Sequence, residues 1–511
     1  MKNSPILFVN CCLLKQAETR LLPVGLASVM TYVKQHDYEI ALLDIDINEY
    51  SDEYVEHYIR TNQYDTILIG TIVTHYAWVK WFCNTVKRYH PHTTLIVGNS
   101  VGGSCPEVFL SNAPADLVVV GEGEITTLEV LDALRESRPI SDIPGIAFRD
   151  KSGQIVKNSL RKACNINELP MINWSFFDLD RYRNSSTNTS FGKLDAQHVF
   201  TMPVSTARGC AFKCTFCHYV FWDDPYRYRS PDSILSEIER NVVKLGATYI
   251  NFWDDLSFAS LPQLERLLEA ILKSGLKFDW SAAIRSDLLG NPKYPYERRY
   301  LAATKMVESG CKAVGFSLES SNPEILKAMD KKVEPEFFGE QISILRKVGV
   351  TCNTAVVFGY PMETKQTIRD TFQYCIAQRI YPSIGFLMPL PYTKMYDYAK
   401  NNGYIVDEDE YLSKIAERQD IHINMTTLTD SEIMAEIKSG ARELNELLDL
   451  KLTEETYIRT KGIKKHTNIK DQKTQQLPQG ALDPEDVLRN ENDFSFSYSQ
   501  SEFSIDQGLD S

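Results

Sequence analysis

Apolar runs of strand length alternate with helical patterns along the first part of the chain. Five runs predict strands, at residues 6–9, 39–43, 66–70, 94–97 and 117–120. Segments of helical length accompany them, at residues 23–36, 52–60, 77–89 and 125–134. Strands that alternate with helices pair in parallel, so the pattern predicts an α/β fold with a doubly wound parallel sheet. Residues 145–158 then predict a hairpin that closes this unit.

A second and more regular alternation follows a linker rich in Asn, Pro and Ser. It predicts six strands, at residues 204–207, 248–253, 278–283, 313–318, 351–358 and 384–388. The first helix of this series is expected to begin with Ser230 as its cap and Pro231 at its first position, and to end at Gly246. Its apolar stripe consists of Ile234, Ile238, Val242 and Leu245. Six βα units are too few for a closed eight-stranded barrel, so we expect an open, partial (β/α)6 barrel with its active site at the strand carboxyl ends.

The length of 511 residues and the 43% of hydrophobic residues fit a chain of several domains. We expect a doubly wound domain over residues 1–140 and a hairpin with a linker over 141–200. The partial barrel is predicted over 201–394 and a small helical C-terminal region over 395–460. Residues 461–511 lose apolar periodicity and predict a disordered tail.

Charge and apolar run length exclude two classes of partner. The chain has 55 Lys and Arg against 68 Asp and Glu, a net charge of −13, which argues against binding nucleic acid. No run reaches the roughly 18 to 20 apolar residues of a membrane-spanning helix, and the N-terminus has no signal-peptide pattern. The sequence therefore predicts a soluble, cytoplasmic protein without a membrane span.

Three of the 11 cysteines lie in one short loop after the first strand of the second series. Cys210, Cys214 and Cys217 have the spacing C-x3-C-x2-C, and three thiolates in one loop can converge on a soft metal centre. One alternative is zinc with His218 as the fourth ligand, although structural zinc sites usually have two cysteine pairs separated by a spacer. The loop supplies only one half of such a site.

The segment STARGCAFKCTFCHY, with an aromatic residue directly before its third cysteine, resembles the radical S-adenosylmethionine (SAM) superfamily. The resemblance continues through INFWDDLSF, FDWSAAIRSD, GFSLESSNPEILKAMDK, VVFGYPMET and LMPLPYT, each near the end of a predicted strand. It implies that Cys210, Cys214 and Cys217 bind a 4Fe-4S cluster. One iron then keeps an open position for the amino and carboxylate groups of SAM.

SAM carries a cationic amino group, a carboxylate, a ribose and an adenine, so its pocket needs acidic acceptors, a cation and a stacking surface. The resemblance implies Asp254 or Asp255 for the amino group, although the family usually has a glycine-rich turn there. The other implied contacts are Arg285 for the carboxylate, Glu319 for the ribose, and Phe216 with the Gly359 backbone for the adenine. Ser320, next to Glu319, is a further implied SAM contact. For Arg285 and Glu319 a surface position or a strand-end ion pair is the alternative.

The first unit has no G-x-G-x-x-G after its first strand, which disfavours dinucleotide binding. Residues 21–46 and 96–124, with the linker NELPMINWSFFDLDRY, instead resemble the cobalamin-binding domain of cobalamin-dependent radical SAM enzymes. The resemblance implies cobalamin contacts at Gly98, Gly102, Gly103, Gly121, Glu122 and Gly123. The D-x-H-x-x-G motif that donates a histidine to cobalt is absent, and His75 is the nearest candidate by position. Asn99 and Ser100 also stand where relatives often have Gly-Gly, so a retained fold without cobalamin is the alternative.

By this resemblance, the chain is expected to methylate an unactivated carbon of a small molecule. One SAM would supply the methyl group through cobalamin, and a second would be split to a 5′-deoxyadenosyl radical by an electron from a low-potential donor such as flavodoxin or ferredoxin. The alternatives are a radical cyclisation, rearrangement or carbon-carbon coupling, with cobalamin in a non-methylating role or absent, and an inactive binding protein of the same fold.

Overall fold

The computed structural model describes residues 5–12, 20–185, 199–218 and 224–458. The chain forms two compact units. The first contains the described parts of residues 1–161 and 172–186, and the second those of 162–171 and 187–461. The predicted disordered tail, 461–511, lies outside the described residues.

The first unit is built on a seven-stranded sheet in the order β2-β1-β3-β4-β5-β6-β7. Its strands are β1 (Ile6–Asn10), β2 (Ile40–Asp44), β3 (Thr66–Gly70), β4 (Thr94–Gly98), β5 (Leu117–Val119), β6 (Ile146–Arg149) and β7 (Ile155–Lys157). The first five strands pair in parallel, and the β6–β7 hairpin pairs antiparallel with β5. The doubly wound sheet and the closing hairpin are therefore confirmed.

Eight helices accompany this sheet in the described residues. They are α1 (Val24–Lys34), α2 (Ile45–Asn48), α3 (Asp52–Thr61), α4 (Tyr76–Tyr89), α5 (Asn99–Gly103), α6 (Pro106–Asn112), α7 (Gly123–Arg135) and α8 (Leu179–Ser185). The four long predicted helices correspond to α1, α3, α4 and α7. The short helices were not predicted, because a segment of one or two turns shows too few repeats to reveal its period.

The second unit contains a five-stranded parallel sheet in the order β14-β13-β12-β11-β8, the parallel pair β15-β16 and the antiparallel pair β9-β10. Its strands are β8 (Thr201–Val204), β9 (Ala207–Arg208), β10 (Arg227–Tyr228), β11 (Tyr249–Phe252), β12 (Asp279–Ala283), β13 (Cys311–Gly315), β14 (Thr351–Asn353), β15 (Ala355–Phe358) and β16 (Ser383–Phe386). This series is the predicted partial barrel.

Two predicted strands differ from those in the structure. The predicted strand 204–207 is divided between β8 and β9. The predicted strand 351–358 is divided at Thr354, whose hydroxyl accepts a hydrogen bond from the Leu318 N–H at 3.2 Å. Before the break, β14 pairs with β13. After it, Val356 of β15 forms an isolated parallel bridge with Glu319, which follows β13 in the sequence.

Nine α-helices follow in the described part of the second unit. They are α9 (Pro231–Glu239), α10 (Leu261–Ser274), α11 (Tyr296–Glu308), α12 (Pro323–Ala328), α13 (Pro335–Lys347), α14 (Lys365–Ala377), α15 (Lys394–Asn401), α16 (Glu408–Lys414) and α17 (Asp430–Leu448). The last three form the predicted helical C-terminal region. No helix in the described ranges is long and apolar enough to cross a membrane.

Helix α9 begins as predicted, because the Ser230 hydroxyl accepts the Ser233 N–H at 3.2 Å and Pro231 occupies the first turn. The predicted apolar stripe is wrong in its second half. A π-helical segment, Arg240–Lys244, adds one residue to the turn and buries Asn241 in place of Val242. A single inserted residue of this kind leaves no periodic signal in the sequence.

Candidate functional site

The three clustered cysteines lie in a loop that leaves β9 and returns at β10. Pairing of Ala207 with Tyr228 and of Arg208 with Arg227 closes the base of this loop. Gly209 directly precedes Cys210, so the cysteines lie next to the carboxyl end of the first strands of the barrel series. Active-site residues in barrels of this class are carried at that end.

The loop is fixed by backbone contacts with the segment that follows α12. The Thr215 N–H donates to the carbonyl oxygen of Met329 at 2.9 Å, and its hydroxyl donates to that of Ala328 at 2.9 Å. The Tyr360 hydroxyl lies 2.9 Å from the Thr215 hydroxyl. Residues from two distant parts of the sequence therefore hold the loop between Cys214 and Cys217.

All three cysteines are free thiols of the same loop. Burial raises the pKa of each thiol, and the charges of Cys210 and Cys214 raise that of Cys217 further. A cationic metal centre would reverse this effect, because it stabilises the thiolate form. A soft, three-thiol donor set therefore fits an iron–sulfur cluster.

No group of three His, Cys, Asp or Glu side chains in the described parts of the chain is close enough to hold a single metal ion. A 4Fe-4S cube does not need such a group, because each of its irons binds one thiolate. Burial lowers the pKa of His218 to about 4, and its Nε2 has no hydrogen-bond partner among the described residues. His218 is therefore a neutral side chain beside the cysteines.

The neighbouring carboxylates Asp254 and Asp255 have different surroundings. Asp254 accepts hydrogen bonds from the N–H groups of Thr206 and Ala207 and from the Thr206 hydroxyl, at 2.7 to 3.2 Å. It anchors the backbone before the cysteine loop. Although these bonds lower its pKa, burial has the larger effect and raises the pKa of Asp254 to about 6.

Asp255 is accessible to solvent and accepts no hydrogen bond from any residue that the structure describes. The surrounding protein, and then the charge of Asp254, raise its pKa to about 6. Of the two predicted acceptors for the SAM amino group, Asp255 is thus the one with a carboxylate still available to a ligand.

Arg285 follows β12, but the structure engages its guanidinium with protein groups. It pairs with Asp287, donates to the Lys332 carbonyl oxygen at 2.6 Å and lies over the Phe212 ring, 4.0 Å from the centroid. Phe212 lies between Cys210 and Cys214 in the loop. The strand-end ion pair is therefore present at Arg285, and its predicted contact with the SAM carboxylate stays a prediction.

Glu319 is buried and forms an ion pair with Lys331, whose Nζ lies 2.9 Å from the Glu319 Oε1. Lys331 was not identified from the sequence. Its charge lowers the pKa of Cys214 and Cys217, and the carbonyl oxygen of the preceding residue, Asp330, lies 4.0 Å from the Cys214 Sγ. The adjacent Ser320 is buried, and its hydroxyl accepts the Asn322 N–H at 3.1 Å before α12.

Gly359 and Phe216 come together through Tyr360. Gly359 follows β15, and the next ring, Tyr360, meets the Phe216 ring edge-on at 6.3 Å. The Gly359 N–H donates to the Glu363 carboxylate at 3.4 Å. Burial raises the pKa of Glu363 to about 7. Glu363 was missed in the sequence, where it looks like an ordinary acidic residue before a helix.

The glycines predicted to contact cobalamin cluster at the carboxyl ends of β4 and β5. Gly98 ends β4, Gly102 and Gly103 lie in α5, and Gly123 begins α7 after the half-exposed Glu122. A Cβ atom at Gly102 would lie 3.0 Å from a Val118 methyl group, so this glycine lets α5 approach the sheet. Gly121, with φ of +85° and nothing within 4 Å of a Cβ position, lies at an open edge.

At the carboxyl ends of β1 and β2, on the other side of the same sheet, side chains bind one another. The Tyr182 hydroxyl, from α8, donates to the Asp44 carboxylate at 3.0 Å, and the Asn10 amide donates to the same carboxylate at 2.7 Å. His75 lies in a 3-10 turn after β3, next to Thr74. The predicted contacts of this unit with cobalamin, including a role for His75, stay predictions.

Two family models match the chain, that of the radical SAM superfamily over residues 204–375 and that of the B12 binding domain over residues 11–131. Together they cover more than half of it. An uncharacterised methyltransferase of Pyrococcus horikoshii is 24% identical over 75% of this chain and 80% of its own. An anaerobic magnesium-protoporphyrin IX monomethyl ester cyclase of Rubrivivax gelatinosus is 23% identical over 76% of this chain and 68% of its own.

A solved structure has the same fold. It is that of TsrM, a radical SAM methyltransferase of Kitasatospora setae, with cobalamin and a [4Fe-4S] cluster bound. It is 17% identical, has a TM-score of 0.61 and covers 79% of each chain. Fold and site thus define a radical SAM enzyme with an N-terminal B12-binding domain. The chain belongs to the cobalamin-binding, methyltransferase-like family of these enzymes, whose cofactors are a 4Fe-4S cluster, SAM and cobalamin.

Proposed function

We propose that the enzyme transfers a methyl group from SAM to an unactivated carbon of a small molecule. The observation that carries this proposal is the loop of three free cysteines within the radical SAM match, in a chain that also has a B12-binding domain. When bound, the cluster supplies the electron that cleaves SAM, and cobalamin supplies a carrier for the methyl group. A low-potential protein such as flavodoxin or ferredoxin is the proposed electron donor.

In this proposal, the protein holds the reactants and limits access of water. Cys210, Cys214 and Cys217 bind the cluster, and Asp255 accepts the SAM amino group. Glu319 and Ser320 bind the ribose, while Phe216 and the Gly359 backbone face the adenine. Asp254 supports the site from outside, because its carboxylate binds the backbone before the cysteine loop. In the first unit, the open edge at Gly121 is the proposed cobalamin site, together with Gly98, Glu122 and Gly123.

A second candidate reaction is a radical cyclisation or rearrangement on the same scaffold. It is favoured by the similarity to the magnesium-protoporphyrin cyclase, which extends over three quarters of this chain. The two reactions differ in what happens to SAM. Methylation forms S-adenosylhomocysteine and 5′-deoxyadenosine together. A cyclisation that uses SAM only for radical formation yields 5′-deoxyadenosine but no S-adenosylhomocysteine.

The test uses the full chain, reconstituted anaerobically with iron, sulfide and cobalamin. The protein is incubated with SAM deuterated at the methyl group, a chemical reductant and a small-molecule extract of the source cells. Mass spectrometry should find a product heavier by the labelled methyl group, with S-adenosylhomocysteine and deoxyadenosine in equal amounts. Deoxyadenosine alone, without label transfer, would favour the second reaction. The Cys214→Ala variant is the control and should form neither.

A further inference from the structure

The segment after α12 packs along the cysteine loop. Thr215 binds the carbonyl oxygens of Ala328 and Met329, and the Cys214 Sγ lies 4.0 Å from the Asp330 carbonyl oxygen. These contacts fix the backbone of the segment against Cys214. The residue that follows them, Lys331, is therefore held beside the loop by main-chain contacts of its neighbours.

The two lysines at the end of this segment differ in environment. Asp330 has a φ of +52°, which is the left-handed region, and the chain turns there. The Lys331 side chain is 18% exposed and is held by its ion pair with Glu319 at 2.9 Å. The Lys332 side chain is 67% exposed and pairs with Asp330. Lys331 thus carries a positive charge that is fixed and poorly solvated, whereas the charge of Lys332 is screened by water.

The charge of Lys331 acts on Cys214 and Cys217, and Glu319 acts on Cys214 with the opposite sign. Other acids also face the loop, since Asp330 acts on Cys214 and Asp255 acts on Cys210 and Cys217. In poorly solvated surroundings, such charges interact much more strongly than in water. A one-electron reduction adds a negative charge to a cluster bound there, so a nearby cation favours the reduced form and a nearby carboxylate opposes it.

We propose that the Lys331–Glu319 ion pair sets the reduction potential of the cluster, with Lys331 raising it and Glu319 lowering it. This inference rests on the proposed binding of the cluster by Cys210, Cys214 and Cys217. It gives Glu319 an electrostatic role in addition to the proposed contact with ribose. The two members of the pair should therefore shift the potential in opposite directions when each is neutralised.

The experiment is a redox titration of the full, anaerobically reconstituted chain without SAM, followed by electron paramagnetic resonance. Lys331→Met should lower the equilibrium constant for reduction at least tenfold, which is about 59 mV for a one-electron couple. Glu319→Gln should raise the potential. Lys331→Arg preserves the charge, so the equilibrium constant for reduction should change by no more than about threefold. Lys332→Met, which removes the same charge from an exposed position, should leave it unchanged.

An unchanged potential in Lys331→Met with a full cluster would overturn the inference and leave the proposed function intact. If Lys331→Met fails to hold iron, Glu319→Gln provides the second test, and a potential that stays or falls in that variant overturns the inference. A shift in Lys332→Met as large as that in Lys331→Met would also contradict it, because a general effect of net charge would then suffice. Wild-type protein without a cluster would instead contradict the proposed function itself.

Discussion

The Tyr360 hydroxyl lies 2.9 Å from the Thr215 hydroxyl and joins the strand end that carries Gly359 to the cysteine loop. The Thr215 hydroxyl donates its hydrogen to the Ala328 carbonyl oxygen, so Tyr360 is the donor in this contact. The two residues are 145 positions apart in the sequence. This bond therefore couples the proposed adenine site to the cluster loop.

Replacing Tyr360 with Phe removes this hydrogen bond and keeps the ring. We expect the free energy of unfolding to fall by about 1 kcal/mol, the usual net contribution of one such bond. Iron content should stay at the wild-type level, because no thiol is changed. Thermal unfolding and iron analysis check this, with Tyr398→Phe, at a 38% exposed position, as the matched control. Equal stability of the two variants would mean that the contact does not hold the loop.

Replacing Arg285 with Lys should weaken the cysteine loop, since an ammonium group cannot pair with Asp287 and cover the Phe212 ring at the same time. We expect a chelator to remove iron from the reconstituted variant about tenfold faster than from wild type, the effect of about 1.4 kcal/mol. SAM affinity should change less. The control, Arg298→Lys, alters an exposed pair with Glu265. Weaker SAM binding with unchanged iron release would instead favour the predicted role of Arg285 at the SAM carboxylate.

Replacing Gly121 with Ala tests the cobalamin edge. Gly121 and Gly153 share a positive φ, +85° and +83°, and neither has an atom within 4 Å of a Cβ position. Both substitutions should therefore cost about 1 to 2 kcal/mol in backbone strain. Only Gly121→Ala should weaken cobalamin binding, measured by absorbance titration, because Gly153 lies in the β6–β7 turn. A similar loss of binding in both variants would show that reduced stability alone is responsible.

Glu363 should make stability depend on pH. Burial raises its pKa from 4.5 to about 7 in the folded chain, so folding favours the protonated form. The contribution of Glu363 to the stability of the folded chain is fully present below about pH 4.5 and is lost as the pH rises through about 7. The unfolding temperature of wild type should therefore fall between pH 5 and 8 relative to that of Glu363→Gln. Glu324→Gln, at an exposed position, should follow wild type across this range. If the unfolding temperatures of wild type and Glu363→Gln change with pH in the same way, the raised pKa of Glu363 is contradicted.

The long elements could be predicted from the sequence because their patterns repeat several times. The five parallel strands of the first unit, with the helices between them, are examples. The π-helical turn that buries Asn241 could not be predicted, because one inserted residue leaves no periodic signal. The break at Thr354 could not be predicted either, because its hydrogen-bond partner Leu318 lies elsewhere in the sequence. Tertiary packing decides such positions.

In the site, the cysteine spacing was informative, whereas the partners of the charged residues were not. The adjacent residues Asp254 and Asp255 look equivalent in the sequence, yet one binds the Thr206 backbone and the other is exposed to solvent. Lys331 stands beside Lys332 in a polar stretch, and only the turn at Asp330 distinguishes them. These differences depend on tertiary contacts that a sequence pattern does not contain.

The most direct test of the central claim is the iron and sulfide content of anaerobically reconstituted cysteine variants. Cys210→Ala, Cys214→Ala and Cys217→Ala should each lose the cluster, because no other thiol or His218 can replace the missing ligand. Cys352→Ala, which changes a thiol in β14, should keep iron and sulfide near the wild-type level and should still cleave SAM. Full iron and sulfide content in Cys214→Ala, with SAM cleavage intact, would contradict the account.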